Sequence, residues 1–406
     1  MSDKAQDTEP MEEEEEEEVE GAEEAEAVVV EDLSNSDVTT KYQEAAKIAN
    51  MALQGVVQQC VAGARINDLC KFGDTVIEQQ RCAQIFRNKV KGVAVSKGIA
   101  FPTCVSVNEC VTNNSPLESE ASKHEPLKAD DIVKIELGCH VDYYSAVVAH
   151  TVKVGVDPAA VGSVTGVEAD VMLAAYYAAE VAAKTIKAGN TNTQVTQAAK
   201  KVADAYGVKF VAGTLMEQIT RFGIAGKTIA LCSEDKEKEV AFAANEVYGV
   251  NVVVSSSDGK VREQDLRTTV FKRNANKNYH LKMKASRYLY NEVNSRFPSL
   301  PFSLRALEDE KQARLGVVEC ASHELLASYP VVFAQRGAKV AHFRFTVLLL
   351  ASGTSKVTGV EFNPAAYSSE KAVDAETQAI LDTVSKKKRN KKKKKAGGEA
   401  KAMEEA

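Results

Sequence analysis

The sequence predicts an α+β layer fold, and three observations carry that reading. Strand-like and helix-like segments interleave irregularly, residues 132–154 read as an antiparallel hairpin, and no short sequence repeat is visible. That order disfavours a parallel, doubly wound sheet. With 406 residues and 44% hydrophobic composition the chain can bury a substantial core, and its length alone allows one large domain or two or three small ones. The net charge of −6 hides three different regions. Residues 1–37 carry 17 acidic residues and 1 basic, residues 385–406 carry 10 basic and 3 acidic, and the middle is slightly positive.

Taken in order, residues 1–37 have no periodicity and strong self-repulsion, so an acidic disordered tail is expected, with folding from Val38. Apolar residues at helical spacing run from Tyr42 through Ile48, Met51, Leu53, Val56 and Val57, and a second helix is predicted over 66–86. Strand and turn signals occupy 98–107. The hairpin follows, with strands at 132–137 and 146–154 around a polar turn at His140, Asp142 and Tyr143. Two helices are expected at 167–188 and 193–205, the first closed by Gly189-Asn190. Further strands are predicted at 208–211, 246–255, 268–272 and 340–350, with helices at 285–296 and 309–326.

Cys60, Cys70, Cys82, Cys104, Cys110, Cys139, Cys232 and Cys320 contain no CxxC pair and no zinc-like spacing, so a reducing compartment is expected. The glutamate-rich start is unlike a signal peptide, and the longest apolar stretch, near Phe345, is too short to span a bilayer. A soluble intracellular protein with no membrane insertion is the expectation. Gly226-Lys227-Thr228 resembles the end of a phosphate loop, but Arg221 stands where its first glycine would, so it reads as a structural turn. His323-Glu324 lacks the second histidine of a zinc helix, and no GxSxG elbow exists. His140, Asp142 and His150 read as turn or core polar residues; as metal ligands they lack the rest of a coordination shell.

Five segments stand in an ordered series: GIAFPTCVSVNECVTNNSP from Gly98, KIELG from Lys134, VAGTL from Val211, EVYGVNVVVSS from Glu246 and AHFRFTVLLL from Ala341. Together they resemble the type-II methionine aminopeptidases and their proliferation-associated relatives, over about residues 38–368. That resemblance implies a pita-bread (creatinase-like) α+β domain with a basic insertion at about 260–310, followed by a short helix and lysine-rich tail over 369–406. It also implies the site. Such aminopeptidases hold two metals with two aspartates, a histidine and two glutamates, which generate a hydroxide and polarise the scissile carbonyl. Matched residue by residue, the aspartates fall on Glu136 and Val147, the histidine on Thr214, the glutamates on Asn251 and Arg344, and a substrate-binding histidine on Asn113. The spacing around Thr214 departs from the family.

One carboxylate survives at five ligand positions, and one position has reversed its charge. A guanidinium 4 Å from a divalent ion is repelled by about 8 kcal/mol at an effective dielectric near 20. No metal and no other cofactor is therefore expected, and the chain reads as an inactive pseudo-aminopeptidase. The emptied site, the VVECASHELL segment after RALEDEKQARLG, and the lysine-rich tail resemble the ErbB-receptor-binding, proliferation-associated proteins. That resemblance implies association with the ribosomal large subunit, with ribosomal or structured RNA, with regulatory proteins, and with growth control. The long acidic start departs from it, and Thr377 to Leu381 replaces a leucine motif sometimes found there.

Nucleic-acid binding is also suggested by charge alone. Lys260, Arg262, Arg267, Lys272, Arg273, Lys277, Lys282, Lys284 and Arg287 face only Glu263 and Asp265 in their segment, and Phe271, Tyr279, Tyr288 and Tyr290 lie among them or next to them. Cations for phosphates and rings for exposed bases explain the mixture; a solvated basic face over an aromatic core is the bland alternative. Lys386, Lys387, Lys388, Arg389, Lys391, Lys392, Lys393, Lys394 and Lys395 read as a nuclear or nucleolar signal, an RNA-binding tail, or both. The expected location is cytoplasm and nucleus, including the nucleolus. A histone- or chromatin-binding module and a residual metal-dependent aminopeptidase stand as alternatives.

Overall fold

The computed structural model describes residues 31–87, 94–157, 159–232 and 238–383. Order begins earlier than the charge pattern predicts: Leu33 is buried against Val38, Tyr42 and Tyr144, and Glu31 pairs with Arg221. Residues 31–37 thus belong to the fold, because one apolar side chain and one ion pair offset the local repulsion. Helix α1 (Ser36–Gln59) starts where the Asn35 side chain accepts from the Asp37 N–H at 3.0 Å. Helix α2 (Ile66–Thr75) is shorter than the predicted 66–86. From Val76 to Arg81 the winding loosens to a π-helix, then tightens to a 3₁₀ turn over Cys82–Gln84.

Strand β1 (Lys97–Val107) is followed by the hairpin β2 (Ile132–Val141) and β3 (Tyr144–Lys153), longer than its predicted strands. Asp142 and Tyr143 alone form the turn, both at positive φ, the primed geometry that follows strand twist. Helix α3 (Gly166–Thr185) stops where Asn190 Nδ2 donates to the Thr185 carbonyl at 2.7 Å. Helix α4 (Asn192–Tyr206) has a full capping box between Thr191 and Gln194 and ends at Gly207, φ 66°. A hairpin the periodicity did not reveal comes next, β4 (Leu215–Thr220) and β5 (Gly223–Ala230), and it places Gly226-Lys227-Thr228 in a strand rather than a turn.

Strand β6 (Val247–Ser255) returns to the sheet. The chain then leaves it for β7 (Val270–Arg273), α5 (Lys284–Arg296), α6 (Glu310–Ser322) and β8 (Leu326–Tyr329). Helix α6 ends short of the predicted 326, with Glu324 at φ 57° breaking it. Phe271, Leu289, Val293, Phe302, Val317 and Leu326 give this insertion its own core, and its ordered body runs on to 329 rather than closing near 310. Arg305 anchors it to the main body, donating to Asp74 and, at 2.6 Å, to Ser115 Oγ. Strands β9 (Val340–Leu350) and β10 (Gly353–Lys356) complete the sheet, and α7 (Ala375–Asp382) follows.

The nine-stranded sheet runs β1-β2-β3-β9-β6-β4-β5, with residues 209–210 joined to β6 and β10 to β9. Strand alternation divides its faces. Ile135, Leu137, Cys139 and Val148 pack under α1 and α2, while Val250, Val252, Phe343 and Phe345 pack under α3 and α4. Every second residue of these strands therefore points to the opposite, inner face. This inner face carries the candidate site.

Candidate functional site

One register row crosses five strands of the inner face. Cys104 pairs with Glu136, Glu136 with Ala149, Ala149 with Arg344, and Arg344 with Asn251. Directly opposed residues share a face, so the sheet delivers Glu136, Arg344 and Asn251 to one place from residues more than two hundred apart in sequence. Arg344 Nη1 donates to Glu136 Oε1 at 2.6 Å, and both side chains are largely buried. The guanidinium also lies 6.0 Å from the centre of the Phe101 ring.

Each remaining matched position has taken up a different role. Val147 packs with Phe101, Cys104 and Val270, so an apolar plug from the insertion meets the sheet where the second aspartate is expected. Asn251 Nδ2 donates to the Leu215 carbonyl at 3.3 Å, and its Oδ1 lies 2.7 Å from His342 Nε2. Since an amide oxygen can only accept, His342 carries its proton on Nε2. Burial lowers the His342 pKa to about 4, so the ring is neutral at pH 7. Thr214 sits in the turn before β4, its N–H donating to the Val211 carbonyl, outside the register row that carries Glu136 and Arg344. Asn113, at φ 66°, donates from Nδ2 to the Pro330 carbonyl at 3.0 Å. It tethers the loop after β1 to the exit of the insertion.

These residues do not fit a pair of divalent ions. The surviving carboxylate is hydrogen-bonded to a guanidinium whose Nε is itself buried without a partner, a cation facing the space a metal would fill. Among the described residues no group of three or more His, Cys, Asp and Glu side chains is placed to hold a metal ion. The hairpin residues go elsewhere. His140 stacks on Tyr143 and accepts from its N–H at 3.2 Å, Asp142 pairs with Lys41 and Arg221, and His150 is buried against Phe343 and Phe362.

Sequence reasoning missed two buried polar groups beside the row. His342 has the same strand parity as Arg344, a signal that was available. Lys134, two residues before Glu136, is fully buried with Nζ on the Asn108 carbonyl, and burial lowers its pKa to about 7. A third group, Lys272, was read as part of a solvent-facing basic surface. It is half-buried, its pKa lowered by burial with the Glu217 carboxylate opposing, because β7 is the central strand of a three-stranded sheet.

The basic segment consequently divides. Lys260, Arg262, Lys277, Lys282, Lys284 and Arg287 are exposed. Arg267 is also exposed but bonds to Glu120, and Arg273, half-buried, donates to Pro298 and lies over Tyr290. Phe271 belongs to the insertion core. Tyr279 stacks on His323 at a centroid distance of 3.5 Å, near Lys277, which pairs with Glu324. The acidic residues 1–30 and the basic run Lys386 to Lys395 lie outside the described residues.

A profile described as metallopeptidase family M24 matches residues 40–224. The structure of a thermophilic Arx1 superposes with a TM-score of 0.78 at 29% identity, covering 86% of this chain and 99% of that one. A methionine aminopeptidase of Thermotoga maritima superposes at 0.53 and 17% identity over 80% of this chain and 98% of that one, a likeness of fold alone. The fold is therefore the M24 pita-bread fold. Proliferation-associated protein A of Dictyostelium discoideum is 43% identical over 82% of this chain and 85% of its own length. ErbB-3 binding protein 1 of Solanum tuberosum is 44% identical over 80% and 82%, and a curved DNA-binding protein of Schizosaccharomyces pombe is 38% identical over 89% and 94%. The chain belongs to the proliferation-associated, ErbB-3-binding-protein family of M24 homologues.

Proposed function

We propose that this chain is a non-catalytic binding factor that docks on ribosomes and structured or ribosomal RNA, acting in ribosome biogenesis, translational regulation and growth control. The observation that carries the binding half is the exposed cationic start of α5, where Lys282 and Lys284 stand in solvent and the exposed Arg287 also donates to the Leu281 and Lys282 carbonyls. Phosphate neutralisation by such residues is favourable whatever the base sequence. The relative named as a curved DNA-binding protein supports a nucleic-acid ligand for the shared scaffold. The same name favours a second reading, a chromatin-side module. The non-catalytic half rests on Arg344 occupying a ligand position, hydrogen-bonded to Glu136. The proposed location is cytoplasm and nucleus, including the nucleolus.

Co-sedimentation with ribosomes tests the proposal. Reversing Lys282, Lys284 and Arg287 to glutamate is expected to abolish association at physiological salt while circular dichroism stays unchanged. Lys272 is left in place because its reversal would bury a carboxylate. Deleting residues 385–406 is expected to flatten the salt dependence, by a slope of up to about 0.9 per lost phosphate contact on duplex DNA and a similar trend on RNA. Retained co-sedimentation of the triple variant would refute the docking surface, and histone capture dependent on residues 1–37 would favour the chromatin reading. Elemental analysis is expected to find no stoichiometric metal, and Met-peptides with added cobalt or manganese to stay uncleaved.

A further inference from the structure

Cys82 and Cys139 are 57 positions apart in sequence, yet their Sγ atoms lie 3.7 Å apart in a buried thiol–thiol contact. Cys139 is fixed: it sits on β2, flanked by β1 and β3, and points to the helix-covered side among Val141, Ala146 and Val148. Cys82 is not held so firmly. It opens the 3₁₀ turn that follows the π-wound segment, its N–H donating to the Ile77 carbonyl, and the chain turns extended three residues later at Ile85. The Lys97 ammonium, which donates to the Ile85 and Phe86 carbonyls, stands close enough to favour negative charge at Cys82.

We propose that Cys82 and Cys139 form a reversible redox modification site, closed to a disulfide by small hydroperoxides, that clamps the segment after α2 onto the sheet. A disulfide needs the sulfurs at about 2.05 Å, so Cys82 must approach by roughly 1.6 Å. A short 3₁₀ turn between a π-wound segment and extended chain can supply that shift more readily than a central strand. The roles of the two sulfurs differ. The hydrogen bond between the two thiols and the nearby Lys97 charge lower the Cys82 pKa against its burial, while burial raises that of Cys139.

The chemistry balances with hydrogen peroxide as the oxidant. The Cys82 thiolate attacks one peroxide oxygen, the O–O bond breaks, and sulfenic acid forms while the departing hydroxide takes up the proton the Cys82 thiol had released and leaves as water. The Cys139 sulfur then attacks the sulfenic sulfur and displaces hydroxide, which takes the Cys139 proton and leaves as a second water. The two thiols have lost two electrons and the peroxide has gained them. A dithiol reverses the step by exchange. Because both thiols are buried, oxidation waits on opening of the π and 3₁₀ turns and is slow compared with an exposed cysteine. This inference is independent of the ribosome proposal.

The test uses the full chain, reduced, treated with graded hydrogen peroxide, alkylated without reduction and digested for mass spectrometry. The half-exposed Cys232 serves as an internal standard for oxidant access. A peptide pair linked through Cys82 and Cys139, lost on dithiothreitol treatment, is expected, together with a Tm several degrees higher because the bond closes a long loop. Cys82→Ala is expected to abolish both changes, and Cys139→Ala to leave a Cys82 sulfenic acid trapped by dimedone. The proposal is overturned if Cys82 and Cys139 remain alkylatable in denaturant after peroxide exposure prolonged well beyond full oxidation of Cys232, or if either links to another cysteine instead. Melting both variants under reducing conditions shows that they fold, so absence of the link cannot be assigned to a collapsed protein.

Discussion

At the scale of single residues, a buried carboxylate and a largely buried guanidinium from two different strands neutralise each other on the inner face. Glu136 and Arg344 meet at 2.6 Å on the inner face, and neither is free to solvent to any large degree. Burying two charges is costly, and their mutual attraction repays this only while both are present. Glu136→Gln or Arg344→Met alone is therefore expected to cost about 3–5 kcal/mol, since each strands the other charge. The double variant is expected to cost less than the sum. Urea denaturation of the four proteins measures the coupling, and strictly additive losses would show that the pair contributes nothing specific. That Glu136 and Arg344 lie on strands was legible because KIELG and AHFRF carry strand signals independently. The hydrogen bond between His342 and Asn251 was not visible residue by residue, since it depends on the register of β9 against β6.

At the scale of elements, local chemistry marked most starts well and several ends poorly. Helix α4 follows its Thr191 cap and Gly207 stop, and β6 and β9 follow their apolar runs. The β4–β5 hairpin escaped because LMEQIT and GIAGKTIA lack the apolar alternation and β-branched density that mark strands, so their pairing rests on β6. The 66–86 segment keeps a helical pattern throughout, and nothing in that pattern announces the change of winding at Val76. The insertion illustrates a close approach that sequence conceals. Gly316 of α6 faces the Ala285 carbonyl of α5 so closely that a Cβ there would overlap it. Gly316→Ala is expected to gain up to about 1 kcal/mol in helix propensity and lose about 1–3 kcal/mol to overpacking. Net loosening should be confined to the insertion. Hydrogen exchange checks this: faster exchange in α5 and α6 with β2 and β9 unchanged is the expected result, and uniform protection everywhere would mean the helices part without cost.

At the scale of the whole molecule, buried ionisable groups set how stability follows pH. His140, His150 and His342 are buried and each has its pKa lowered to about 4, burial being the main cause in every case. In the unfolded chain the same imidazoles titrate near 6.5. Between pH 6.5 and 4 the unfolded state therefore binds more protons, so stability is full above pH 6.5 and falls as the solution is acidified. At pH 5 each ring removes on the order of 2 kcal/mol, and the three together about 6 kcal/mol, a large share of a typical net stability of 5–15 kcal/mol. Lys134 acts in the same direction at higher pH. Its folded pKa of about 7 lies below the usual lysine value, so between about pH 7 and 10.5 the unfolded chain again holds the extra proton and stability rises with pH. The expected profile climbs from acid through neutrality, and above about pH 8.5 the buried thiols of Cys60, Cys70 and Cys320, whose pKa values burial raises, oppose the Lys134 gain because the unfolded chain releases those protons first. Denaturation midpoints at pH 5, 7 and 9 measure it, and His150→Phe, at a ring already packed on Phe343 and Phe362, should flatten the acid limb by about a third. Equal midpoints at pH 5 and 7 in the unmodified chain would mean that the three imidazoles are protonated without penalty in the folded state.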